Sequence, residues 1–186
     1  MKDNRGFSLV EIIVAIAIIG VLVGGSFVSI NLIARTNVEK GIRVVESTMG
    51  KLQTECLSKS KPTYMYVYQD SDDGDYYVKV SKTLHTSVSS IMSDDAEAER
   101  IEISSVDMHY YVDKSENGYS AGPHKIENGN FIAVTYKKGD SSVVGYANGG
   151  TQLDSLFRIE ALGADRYARV EISYETGKVT YDTSTI

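Results

Sequence analysis

The chain has 186 residues, 25 of them acidic and 19 basic, and a formal net charge of −6. This length suits one compact domain in addition to any anchoring segment. Because affinity for nucleic acid rests largely on Lys and Arg that neutralise phosphates, the acidic balance argues against a nucleic-acid partner. Cys56 is the only cysteine, so an intrachain disulfide is excluded, and we expect a small buried residue on a helix.

A short polar leader meets a long apolar run at the N-terminus. The leader, residues 1–6, ends at Gly6, and no charged residue occurs from Ile12 to Ala34. At 1.5 Å per residue, a helix of this length crosses the ~30 Å hydrocarbon core of a bilayer. The run is also longer than the apolar region of an ordinary secretory signal peptide. The sequence therefore predicts a membrane helix.

Glu11 stands immediately before this uncharged run. A carboxylate in hydrocarbon costs roughly 2.5–3.5 kcal/mol on insertion scales, so it requires a partner. The nearest cation upstream is Arg5, and none lies within helical reach downstream. Cleavage after Gly6 would give Phe7 a new amine, which could pair with Glu11 one helical turn away or on a neighbouring chain. A plain signal-anchor helix offers no reason for this carboxylate.

A resemblance to a known family rests on the run Gly6-Phe7-Ser8-Leu9-Val10-Glu11 and on the apolar residues 12–22 behind it. Together they resemble the class III signal and first helix of type IV prepilins and pseudopilins. The resemblance implies that a membrane-embedded prepilin peptidase cleaves after Gly6 and that the Phe7 amine is N-methylated. It also implies that Glu11 neutralises the amine of an adjacent subunit during assembly.

The resemblance further implies a structural subunit that is not an enzyme and that needs no cofactor. Its precursor would be a single-pass protein of the inner or cytoplasmic membrane, with the C-terminal domain outside the cytoplasm. With other pilin subunits it would form a helical cell-surface filament, either a type IV pilus or a type II secretion-like pseudopilus. Two alternatives stay open: a minor tip pilin that acts as an adhesin or substrate-binding subunit, and a membrane-anchored binding domain that never assembles.

Beyond Ala34 the apolar residues become periodic. They recur at spacings of three and four residues: Val38, Ile42, Val45, Met49, Leu52 and Cys56. Charged residues lie between them, which predicts an amphipathic helix with one apolar stripe. Because nothing interrupts the pattern before Pro62, we predict a single helix from about Ser8 to Lys59. The stripe is short for a coiled coil, so we expect it to pack on the chain's own C-terminal domain.

From Thr63 onward the apolar period is two, which is typical of strands. The predicted strands are residues 64–68, 76–80, 100–104, 106–112, 131–137, 142–147, 168–174 and 178–182. Residues 156–162 suit a strand or a short helix, and a strand is favoured. Residues 83–92 are ambiguous but suit a short helix, and residues 93–99 are predicted to be a loop.

These patterns predict an α+β fold, in which a long N-terminal helix packs on a C-terminal antiparallel β-sheet. The predicted divisions are a leader at 1–6, a transmembrane and assembly half of the helix at 7–34, an amphipathic half at 35–60, and an extracellular β-rich head at 61–186. The order of the strands is left open.

The loop between the first two predicted strands is acidic. Its four aspartates are Asp70, Asp72, Asp73 and Asp75. Calcium takes oxygen ligands from clustered carboxylates, so these residues are weak candidate metal ligands. Their spacing fails the EF-hand template, however, and favours a solvated hairpin tip, so no metal site is predicted. The three histidines match no catalytic pattern, and no catalytic residue is predicted.

Overall fold

The computed structural model describes residues 9–58, 62–101, 106–113, 118, 120–127, 129–163 and 166–185, with their side chains except those of residues 25–35 and 100. The chain divides into two compact units, Met1–Ile33 and Ala34–Ile186. The division predicted from the sequence, with boundaries after residues 6, 34 and 60, stays a prediction.

Helix α1 runs from Leu9 to Ser58 and contributes residues to both units. The prediction of one long helix is confirmed over this range, while its predicted ends, Ser8 and Lys59, lie outside the described residues. In the first unit the large apolar side chains from Leu9 to Val23 are exposed.

Within the described part of the chain, no helix combines the length and apolar character that crossing a membrane requires. The predicted membrane half, residues 7–34, includes positions 7 and 8 and the side chains of residues 25–34, which lie outside the described residues.

In the second unit α1 packs through the predicted stripe. All six members of the stripe are buried: Val38, Ile42, Val45, Met49, Leu52 and Cys56. They share one core with apolar side chains of the strands that follow, among them Met65, Met108 and Ile159. Burial of one such side chain contributes roughly 1.5–3 kcal/mol. The expectation that the stripe packs on the chain's own domain is confirmed.

The second unit continues with short strands and one further helix. In the described residues these are β1 (Tyr64–Gln69), β2 (Tyr76–Ser81), α2 (Val88–Met92), β3 (Ala98–Ile101), β4 (Asp107–Val112), β5 (His124–Lys125), β6 (Phe131–Tyr136), β7 (Val143–Ala147), β8 (Thr151–Leu153), β9 (Leu156–Leu162), β10 (Arg166–Ser173) and β11 (Lys178–Thr185). A 3₁₀ turn at Asn148–Gly150 separates β7 from β8.

These strands form two antiparallel sheets. The first has the order β3-β2-β1-β6-β7-β8, and the second has the order β11-β10-β9-β4-β5. The predicted α+β fold is confirmed, with the difference that its strands divide between two sheets that share the core. The sheets approach each other at Gly145, where a Cβ atom would lie 3.2 Å from the side chain of Leu156.

The ends of several strands and two short strands differ from the prediction, whereas the short helix that residues 83–92 suited is present. Strand β3 begins at Ala98, two residues earlier than expected, and residues 102–105 lie outside the described residues. Strands β5 and β8 were not predicted, because two or three residues are too few to show a period of two. The ambiguous segment 83–92 contains α2, which begins with a capping box between Ser87 and Ser90.

A second, smaller core lies on the outer face of the first sheet. It contains Tyr66 and Tyr68 of β1 and Phe131 of β6, and it is covered by Val88 and Ile91 of α2. The alternation in β1 therefore separates two apolar environments, with the tyrosines on the outer face and Met65 and Val67 in the main core.

Candidate functional site

The predicted assembly residues lie at the N-terminus of the chain. Gly6 and Phe7 are outside the described residues, whereas Glu11 occupies the first turn of α1. The neighbouring side chains of Leu9 and Ile12 are 76% and 48% exposed. Glu11 thus stands on an exposed apolar surface of the helix.

Polar contacts fix the start of the amphipathic half of α1 to the second sheet. Arg166 Nη2 of β10 lies 2.8 Å from Glu39 Oε1. One helical turn further on, the Arg43 guanidinium lies 4.4 Å from the centre of the Tyr181 ring of β11. Together with the buried stripe, these contacts hold the helix against the strands of the second unit, which we call the head from here on.

Cys56 lies at the other end of the stripe and is 3% exposed. Its Sγ donates to the carbonyl oxygen of Thr63 at 3.3 Å and lies 3.7 Å from Thr135 Oγ1. The expectation of a small buried residue on a helix is confirmed.

The acidic loop uses its carboxylates to shape the hairpin between β1 and β2. Asp70 Oδ1 accepts from the backbone N–H of Asp72 at 2.8 Å, and Asp73 Oδ1 accepts from that of Asp75 at the same distance. These are Asx turns, in which a short acidic side chain replaces a backbone acceptor. Asp73 Oδ2 also accepts from the hydroxyl of Tyr77 at 2.6 Å.

Among the described residues, no three His, Cys, Asp or Glu side chains form a group that could hold a metal ion. Of the four aspartates of the loop, which the sequence marked as weak candidates, Asp70 and Asp73 act as local acceptors of the hairpin.

The histidines have separate environments. His85 Nε2 lies 2.7 Å from Asp94 Oδ2, and His124 Nε2 lies 2.8 Å from the carbonyl oxygen of Ser120. Burial lowers the pKa of His109 on β4. Ser81 Oγ donates to the same Asp94 oxygen at 2.6 Å. Ser81 Oγ also lies 3.5 Å from His85 Nε2. Because the shorter contact directs the proton of the hydroxyl to the carboxylate, Ser81, His85 and Asp94 differ from a nucleophilic arrangement, in which the imidazole takes the proton of the serine.

A buried lysine is the polar feature that the sequence analysis missed. Lys79 of β2 is 4% exposed, and its Nζ donates to the carbonyl oxygens of Ile91 and Asp94 at 2.7 and 2.6 Å. Its position alternates with Val78 and Val80, which is typical of a solvent-facing lysine. A signal was nevertheless present in the sequence, because Tyr77 lies two residues before Lys79 and therefore on the same face of the strand. In the structure Lys79 also pairs with Tyr66 of β1.

Residues 1–27 match the family model described as the prokaryotic N-terminal methylation motif. The chain therefore carries the class III prepilin signal of type IV pilins and pseudopilins. Comparisons with curated proteins and with solved structures found no match.

The motif supports a type IV pilin-like or pseudopilin-like subunit, and it points to a structural role and not to an enzyme. It implies processing by a prepilin peptidase and assembly with other pilins. It also suggests a membrane-anchored precursor that becomes part of a surface pilus.

Proposed function

We propose that this chain is a structural subunit of a type IV pilus or a type II secretion-like pseudopilus, assembled after a prepilin peptidase cleaves between Gly6 and Phe7. The match of residues 1–27 to the methylation motif carries this proposal. It is supported by the apolar surface from Leu9 to Val23, which is exposed in the single chain. Such a surface requires an apolar environment, either lipid or the helices of other subunits.

In the proposed mechanism residues 7–34 hold the precursor in the membrane, with the head outside the cytoplasm. Cleavage exposes the amine of Phe7, which is then N-methylated. Transfer of an apolar helix from lipid to a bundle of similar helices changes its surroundings little, because lipid tails are as apolar as the side chains of the bundle. Close packing and the pairing of Glu11 with the Phe7 amine of a neighbour therefore select the register of assembly.

The head is attached to the assembly helix through the amphipathic half of α1. The stripe from Val38 to Cys56 is buried in the core of the second unit, and Arg166 binds Glu39 at the beginning of the stripe. A force on the amphipathic half of α1 is therefore resisted by the packing of the whole head. This coupling suits a subunit that is built into a filament.

The proposal is tested with the variant Glu11→Gln in the producing cell. Glu46→Gln is the matched control, since Glu46 lies on the same helix within the second unit. Filaments are sheared from the surface, and the chain is quantified in the filament and membrane fractions. We expect Glu11→Gln to remain in the membrane fraction and to be lost from filaments, whereas Glu46→Gln assembles normally. Normal assembly of both variants would contradict the proposed role of Glu11.

The wild-type chain in the same fractions separates the alternatives. A dominant band in sheared filaments supports the structural subunit. A trace amount in filaments made mostly of another protein indicates a minor tip pilin that acts as an adhesin or substrate-binding subunit. Retention of the wild type in the membrane, with none in filaments, indicates a membrane-anchored binding domain.

A further inference from the structure

The segment that joins β2 to β3 covers the outer face of the first sheet. We call residues 83–96 the strap, and we call the tyrosines and phenylalanine beneath it the aromatic face. The aromatic face consists of Tyr64, Tyr66, Tyr68, Tyr77, Phe131 and Tyr146. The strap places two buried apolar side chains against this face, Val88 and Ile91. Even with the partly buried Met92, these side chains are a small gain for ordering a segment of this length, so polar contacts must supply much of the stabilisation of the closed strap.

Lys79 supplies the central contact, at the C-terminal end of α2. Its ammonium donates to the carbonyl oxygens of Ile91 and Asp94. The last carbonyls of a helix have no partner within the helix, and their partial negative charge attracts a cation. A buried ammonium is in turn costly unless hydrogen bonds satisfy it. The lysine and the strap therefore stabilise each other only while the strap is closed.

The other contacts of the strap lead mostly to the same hairpin. Asp94 Oδ2 accepts from Ser81 Oγ of β2 at 2.6 Å. Tyr66 Oη of β1 donates to the carbonyl oxygen of Thr83 at 2.7 Å and accepts from the backbone N–H of His85 at 2.8 Å. Beyond the hairpin, one backbone contact joins the strap to the turn after β7, from Gly149 N–H to the carbonyl oxygen of Thr86 at 3.0 Å.

We propose that the strap opens as one unit while the rest of the head stays folded, and that Lys79 is the anchor that holds it closed. The main core does not depend on the strap, because the stripe of α1 and the inner faces of both sheets pack together without it. The aromatic face belongs to the separate outer core that Val88 and Ile91 complete. Opening therefore exposes the aromatic face without loss of the fold.

Hydrogen exchange of the full-length chain in detergent tests this proposal. Lys79→Met removes the donors but keeps the apolar stem of the side chain. Lys82→Met is the matched control, since Lys82 is an exposed lysine just before the strap. We expect backbone amides of residues 83–96 to exchange at least about tenfold faster in Lys79→Met, which corresponds to about 1.4 kcal/mol. Strands β6 and β7 should keep wild-type rates, and Lys82→Met should match the wild type throughout.

Two outcomes would overturn the proposal: unchanged exchange of residues 83–96 in Lys79→Met, or equal acceleration over the whole head. If Lys79→Met fails to fold, the wild type in dilute urea provides the second measurement. There the amides of the strap should open at a lower free energy than those of β6. Equal opening free energies of the strap and β6 would show that the strap is part of the global unfolding unit.

Discussion

Two isoleucines of α1 offer a direct test of how this helix is divided between assembly and packing. Ile42 is completely buried in the main core, whereas Ile16 is 65% exposed in the single chain. Truncation of each to alanine removes the same atoms from the same helix. The surroundings of the two side chains therefore decide how far each substitution lowers the stability of the head.

The expected magnitude follows from the burial of Ile42. Isoleucine-to-alanine substitutions in a core cost about 2–5 kcal/mol, because the removed methyl groups lose their contacts and leave a cavity. In a unit of this size each kcal/mol lowers the melting temperature by about 2–4 °C. Ile42→Ala should therefore lower the melting temperature of the head by roughly 4–20 °C. Ile16→Ala should change the stability of the head by less than about 0.5 kcal/mol, as exposed substitutions do.

Tyrosine provides the assay. All thirteen tyrosines lie at or beyond Tyr64 and the chain has no tryptophan, so near-ultraviolet circular dichroism of the full-length chain in detergent reports the head. Equal losses in Ile42→Ala and Ile16→Ala, or no loss in Ile42→Ala, would refute the division of α1 described above. In the filament assay Ile16→Ala should instead reduce assembly, since its side chain belongs to the exposed apolar surface that we propose other helices cover.

The pH dependence of stability should show one alkaline and one acidic effect. Burial raises the pKa of both Tyr66 and Tyr136 to about 12. A raised folded-state pKa stabilises the head fully below the ordinary tyrosine pKa of about 10, and this contribution is lost as the pH rises from about 10 to 12. Alkaline unfolding should follow the ionisation of these two buried tyrosines, and a head that keeps its full stability from pH 10 to pH 12 would contradict this account. Hydrogen bonds from Ser81 and Ala96 hold the pKa of the Asp94 carboxyl well below its usual range. The ionised carboxylate therefore stabilises the head above about pH 4, and this contribution is lost as the pH falls. Asp94→Asn should therefore lower the stability against urea at pH 7, by an amount that shrinks in acid. The exposed control Asp95→Asn should leave this stability unchanged. Equal behaviour of the two variants would argue against the role of Asp94.

The local structure of the chain was predictable because its periodicities are strong. The spacing from Val38 to Cys56 predicts the six apolar residues of the buried stripe, although Gly41 and Thr48 on the same helix are buried as well. Alternation flanking short polar turns likewise located the hairpins β1–β2 and β6–β7. In both cases the signal lies within a few residues of the structure it predicts, so no long-range contact is needed to read it.

The division into two sheets could not be predicted in the same way. Alternation shows which side chains share a face of a strand, but not which strand lies beside it. The pairings β1–β6 and β4–β9 join segments that are far apart in the sequence. Lys79 shows the same limit at the level of one residue, because alternation in β2 gives no sign of the strap, a separate segment that covers this lysine.

The most direct test of the account is mass spectrometry of the mature N-terminus, on chain recovered from the producing cell. The proposed processing requires a first residue at Phe7, with a methylated amine, and no trace of residues 1–6 in the mature form. An intact Met1, or cleavage at any bond other than Gly6–Phe7, would contradict the claim that Glu11 pairs with an amine released by prepilin processing.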